Sequence, residues 1–117
     1  MLKMTGVMDV LIPEIRKRAE SGDATAQYGL GKCYLTGEGV KKDKEEAVKW
    51  FLKSAEQDFA EAQYWLGICY LEGLGVEKDK KAAVEWFRKA AKQGHESSIS
   101  TLRTLGESIP EKQKEDK

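Results

Sequence analysis

Residues 27–57 read QYGLGKCYLTGEGVKKDKEEAVKWFLKSAEQ, and residues 63–93 read QYWLGICYLEGLGVEKDKKAAVEWFRKAAKQ. A shift of 36 residues lays Gln27 on Gln63, Tyr28 on Tyr64, Leu30 on Leu66, Gly31 on Gly67, Cys33 on Cys69 and Tyr34 on Tyr70. It continues through Gly37/Gly73, Gly39/Gly75, Val40/Val76, Asp43/Asp79, Ala47/Ala83, Trp50/Trp86, Phe51/Phe87 and Ala55/Ala91. Self-similarity at this period marks a solenoid, in which each unit buries its apolar face only by stacking on the next.

Each copy reads as two helices. Ala26, Leu30, Cys33 and Tyr34 recur at helical spacing after an N-capping Asp23, and Gly37 ends the helix in the left-handed conformation. Asp43 caps the second helix, with Glu46 placed for a capping box. Ala47, Val48, Phe51 and Ala55 form its apolar stripe, with Trp50 beside it. The pattern predicts repeats at 23–58 and 59–94. Upstream, Ile15 and Ala19 fall on Phe51 and Ala55, so residues 9–22 read as an N-terminal half-repeat. Its helix is capped by Asp9 or begins at Pro13, because proline is tolerated only near a first turn; residues 1–8 are expected to be loose. Downstream, Leu102 falls on Leu66, but Gly106 stands where Tyr70 stood, so 95–105 reads as a capping helix. Pro110 and the run EKQKEDK predict a disordered tail over 106–117. No stretch alternates apolar and polar residues as a strand would. The expected fold is all-α: six helices over 1–105, stacked as antiparallel pairs in a short right-handed α/α solenoid.

Composition fits that reading. The 117 residues suffice for one core, and Lys plus Arg (20) balance Asp plus Glu (20), ten of each sign in 1–58 and ten of each in 59–117. This balance gives no support to nucleic-acid or anionic-membrane binding. No apolar run approaches the roughly 18 residues of a membrane span, and Asp9 and Pro13 interrupt any signal-peptide core. The chain is therefore read as cytoplasmic. Cys33 and Cys69 occupy equivalent positions, about one helix-pair step apart, roughly 10 Å or more. That exceeds the span of a disulfide, so both are read as free, buried thiols. One His and two Cys predict neither a metal site nor a cofactor.

With these residues assembled, the chain resembles the Sel-one-like repeats, a branch of the tetratricopeptide-type solenoids. Ala26, Leu30, Gly31, Tyr34, Gly37, Gly39, Val40, Asp43, Ala47, Trp50 and Ala55 carry the resemblance, as do their counterparts from Ala62 to Ala91. It extends over about Ala19 to Leu105. The resemblance implies a TPR-like superhelix acting as an adaptor or scaffold, with its first helices lining a concave surface. A secreted, cysteine-rich branch bridges two cysteines within each repeat. Here Ala26 and Ala62 stand seven residues before the cysteines, which sets this chain apart from that branch and from the hydrolase activity proposed for it.

Positions matched between copies hold the shared frame, whereas mismatched positions are free to serve a partner. Thr25, Tyr28, Lys32 and Thr36 share one stripe of the first helix. Their counterparts are Glu61, Tyr64, Ile68 and Glu72, with Trp65 beside them where Gly29 stood. Aromatic anchors ringed by polar groups suit a peptide or protein partner, and these nine residues are the expected binding face. Packing between repeats is the competing role for Tyr28, Tyr64 and Trp65. His95 has no partner at recognisable spacing, and no catalytic set is evident, so the function expected is non-enzymatic protein binding. The oligomeric expectation is a monomer or a weak end-to-end homodimer.

Overall fold

The computed structural model describes residues 7–111, with side chains from Val10 onward. Within them the chain forms six helices: α1 (Val7–Glu20), α2 (Ala24–Thr36), α3 (Lys44–Ala55), α4 (Ala60–Glu72), α5 (Lys80–Lys92) and α6 (Glu96–Thr104). Each packs mainly on its neighbours in the chain, α1 on α2 through to α5 on α6, as an α/α solenoid requires.

The caps explain the punctuation. The Asp23, Asp43 and Asp79 carboxylates accept from the amides of Ala26, Glu46 and Ala82. Gly37 and Gly73 end α2 and α4 in the left-handed region, at φ 81° and 70°. The capping box at Asp43 does not close: its amide donates 2.9 Å to the Tyr34 carbonyl across the loop, and Glu46 instead reaches Lys49 at 3.7 Å.

Helix α1 departs from expectation. It starts at Val7, so Asp9 lies inside it, and Pro13 sits mid-helix rather than in the first turn. A mid-helix proline costs about 3 kcal/mol. Burial of Ile12, 7% exposed, returns about 1.5–3 kcal/mol, which offsets much of that cost. The looseness expected of residues 1–8 falls largely outside the described residues. At the other end, Glu107 and Ser108 are held by Arg88, whose Nη2 lies 3.2 Å from Glu107 Oε1 and 2.9 Å from Ser108 Oγ. Residues 112–117 of the expected disordered tail lie outside the described residues.

The core is built from Phe51 and Phe87, both fully buried, with Leu30, Leu66 and Leu102. Gly31 and Gly67 sit inside helices because a ring occupies the space a side chain would need. A Cβ at Gly31 would lie 2.7 Å from Phe51 Cδ1, and one at Gly67 would lie 2.6 Å from Phe87 Cε1. Trp50 is buried, whereas Trp86 is half-buried against the central cluster.

Buried amides tie the pairs together. Gln27 Nε2 donates to the Ala19 carbonyl, and Gln57 Nε2 donates to Gln27 Oε1. One repeat later, Gln63 serves Ala55 and Gln93 serves Gln63. Both buried glutamines, Gln27 and Gln63, thereby find partners, which is the condition for placing an amide in a core; the buried Trp50 indole N–H, by contrast, has none.

Candidate functional site

The nine residues expected to form the binding face divide into two groups. In the first repeat, Thr25, Tyr28, Lys32 and Thr36 line one open groove of about 420 Å³, together with Ile15, Gly29, Cys33 and Glu38. Tyr28 is half-buried, its ring centroid 6.2 Å from Phe51 and 5.3 Å from Phe59. Lys32 is exposed, with Nζ 5.4 Å from the Tyr28 ring centroid. Thr36 donates its hydroxyl hydrogen to the Lys32 carbonyl.

In the second repeat the same positions are more filled. Trp65 stacks on Phe51 at 6.4 Å with an interplanar angle of 18°, and meets Tyr64 edge-on at 5.8 Å. Tyr64 also packs on Phe87 and on the His95 ring, at 5.8 and 5.1 Å. Ile68 is packed against the cluster formed by α5 and α6, while Glu72 is exposed. Tyr28, Tyr64 and Trp65 thus all pack between helices, and all three keep part of their surface in water.

His95 does have partners. Its Nδ1 lies 2.9 Å from Ser98 Oγ and accepts from the Ser98 amide at 3.2 Å, and its Nε2 lies 2.9 Å from Glu61 Oε1. Glu61 is 34 residues earlier, so the pairing exists only because the fold brings the start of α4 to the start of α6. A Ser–His–carboxylate chain is the arrangement of acyl-transfer enzymes. Here, however, Ser98 is completely buried and the facing ring nitrogen already takes the amide that begins α6. The histidine therefore works as a helix cap, in the position where α2 uses Asp23 and where Phe59 gives α4 no side-chain cap.

The thiols behave as core. Cys33 and Cys69 are free and buried. Burial pushes Cys69 up to about 11, with the Glu72 carboxylate adding to it. Cys33 is also raised, by burial and then by Glu38, while Lys32 pulls the other way. Neither is poised as a nucleophile, because the thiolate is the reactive form. Among the described residues, no three His, Cys, Asp or Glu side chains are grouped to hold a metal ion, and no helix is long and apolar enough to cross a membrane.

The sequence did not mark Ile15, Gly29, Cys33 and Glu38 as groove residues. The signal was present in two mismatches, Gly29 against Trp65 and Ile15 against Phe51, which matter only once the helices are stacked.

Comparison with known proteins places the frame. The Sel1 repeat family model matches residues 24–59 and again 60–95. A Sel1 repeat protein from Oxalobacter formigenes is 43% identical, with a TM-score of 0.80 over 82% of this chain and 72% of that one. A protective antigen of uropathogenic Escherichia coli with an SLR fold is 37% identical, with a TM-score of 0.81 over 92% of this chain and 24% of that one. Cysteine-rich protein B of Helicobacter pylori is 30% identical, with a TM-score of 0.76 over 80% of this chain and 70% of that one. A sel1-like repeat-containing protein of Acanthamoeba polyphaga mimivirus is 42% identical over 40 residues, which is 34% of this chain but only 7% of the viral protein's length.

Proposed function

This chain belongs to the Sel1 repeat family, and on that premise we propose that it is a non-enzymatic adaptor or scaffold module, with a self-associating structural repeat piece as the alternative. In this reading it takes a peptide or protein surface on the face formed by α2 and α4. The observation that carries the reading is the open groove beside Tyr28 and Lys32, where an aromatic ring and a cation stand together at the surface. A cytoplasmic location is consistent with two free thiols, since such thiols persist in reducing compartments. The working state is a monomer or a weak end-to-end dimer, the latter favoured by Val10 and Leu11, 68% and 43% exposed on α1.

Paired affinity capture from the native lysate tests the binding face. One bait is wild type and the other carries Tyr28→Ala, Tyr64→Ala and Trp65→Ala, checked first for helical circular dichroism. A ligand held by the first and lost from the second supports the reading. A ligand held equally by both places binding on another face.

The Ser98–His95–Glu61 chain favours a second reading, a serine hydrolase, and burial of Ser98 opposes it. A fluorophosphonate probe should leave the folded protein unlabelled. Labelling at Ser98 would establish the hydrolase instead.

A further inference from the structure

The groove is the space that the second repeat fills with its own tryptophan. Trp65 stacks over Phe51 and against Tyr64. One period earlier these three positions hold Gly29, Ile15 and Tyr28. Ile15 is smaller than Phe51 and Gly29 has no side chain, so the ring site is present and its ring is missing. A Cβ at Gly29 would meet nothing within 4 Å, unlike the Cβ at Gly31 or Gly67, which would strike a phenylalanine. Glycine at that point costs the helix about 1 kcal/mol relative to alanine, and no close approach in the fold requires it.

The charge beside the site is specific. Lys32 lines the groove, and none of the ion pairs among the described residues includes it. In the filled repeat the equivalent position is Ile68, which packs inward. Glu38 also lines the groove, from the loop beyond the end of α2, whereas Lys32 stands on α2 one helical turn from Gly29.

We propose that the groove at Gly29 is a binding site for a tryptophan side chain of a partner peptide, with an acidic residue next to it meeting Lys32. This rests on the interaction-module reading and names the ligand of that same site. The indole takes the position that Trp65 takes in the second repeat, against Ile15 and Tyr28. An aromatic ring supplies the largest apolar contact per ordered bond, and a nearby ammonium fixes the direction of the flanking carboxylate.

The test uses three capped hexapeptides and the full chain: Gly-Ser-Asp-Trp-Ser-Gly, the same peptide with Leu for Trp, and the same with Lys for Asp. Backbone amide spectra follow the titration. The first peptide should shift Thr25, Tyr28, Gly29 and Cys33, and should bind at least tenfold more tightly than the Leu form and about threefold more tightly than the Lys form. Gly29→Trp should fill the groove in cis. It should melt above Gly29→Ala, which gains the helix propensity alone, and should weaken the first peptide at least tenfold. Equal binding by the Trp and Leu peptides, or undiminished binding to Gly29→Trp, would overturn the proposal. So would a Gly29→Trp protein that melts below Gly29→Ala, because the space would then not fit an indole. If the indole preference fails while the triple variant described above still loses a captured ligand, the interaction module stands and only its ligand chemistry falls.

Discussion

The two repeats keep the same frame and differ in what they show to solvent. In both repeats a phenylalanine ring fills the space beside the helical glycine: a Cβ at Gly31 would come within 2.7 Å of Phe51, and one at Gly67 within 2.6 Å of Phe87. Beside that contact the first repeat carries Gly29 and Lys32, and the second carries Trp65 and Ile68. Close packing constrains interior positions to a methylene and leaves the neighbouring turn free. A repeat protein can therefore change its binding surface one repeat at a time without renegotiating its core.

The most disruptive way to break the comparison is Phe51→Ala, expected to cost about 3–5 kcal/mol by denaturant unfolding. Phe87→Ala should cost less. Phe51 supports Trp65 of the next repeat, whereas Thr101 occupies the equivalent place beyond Phe87. Equal costs would show that the inter-repeat stack contributes nothing. Trp65→Gly should come next, at about 3 kcal/mol: about 2 from an indole already partly in water and about 1 from glycine inside a helix. It should also open a second groove, detectable as binding of the tryptophan peptide near Tyr64.

Gly31→Ala and Gly67→Ala sharpen the comparison. Overpacking against a phenylalanine costs about 1–3 kcal/mol and outweighs about 1 kcal/mol of gained helix propensity. Both variants should melt below wild type by similar amounts, and a stabilised variant would show that the ring gives way. The smallest effect concerns the thiols. Cys69 is held neutral up to about 11 in the fold, against an ordinary value of 9.0. Its contribution to stability is intact below about pH 9 and is lost as pH rises through about 11. The melting-temperature gap between wild type and Cys69→Ala should therefore narrow over that window, and a constant gap would contradict the assignment.

Much of the frame was legible because it is written twice. The caps at Asp43 and Asp79, the stops at Gly37 and Gly73 and the stripe through Phe51 and Phe87 all follow from local chemistry and repetition. The course of α1 past Pro13 was not, since it turns on Ile12 being buried by the helix that follows. The Gln27–Gln57 and Gln63–Gln93 pairs recur visibly, but each joins side chains 30 residues apart, and sequence alone does not say that they touch. The same holds for Glu61 and His95. On the candidate site, the polar stripe of the first repeat was readable from helical spacing. The groove was not, because its floor comes from Ile15 on a different helix.

The most direct test of the binding face, taken to lie on α2 and α4, is an amide-shift titration with a peptide selected from a random displayed library on the wild-type chain. Shifts should concentrate at 25–36 and 61–72, with the outer residues of α3 and α5 unmoved. Shifts confined to Lys49, Lys53, Glu85 and Lys89 would contradict it and move the binding face to the opposite helices.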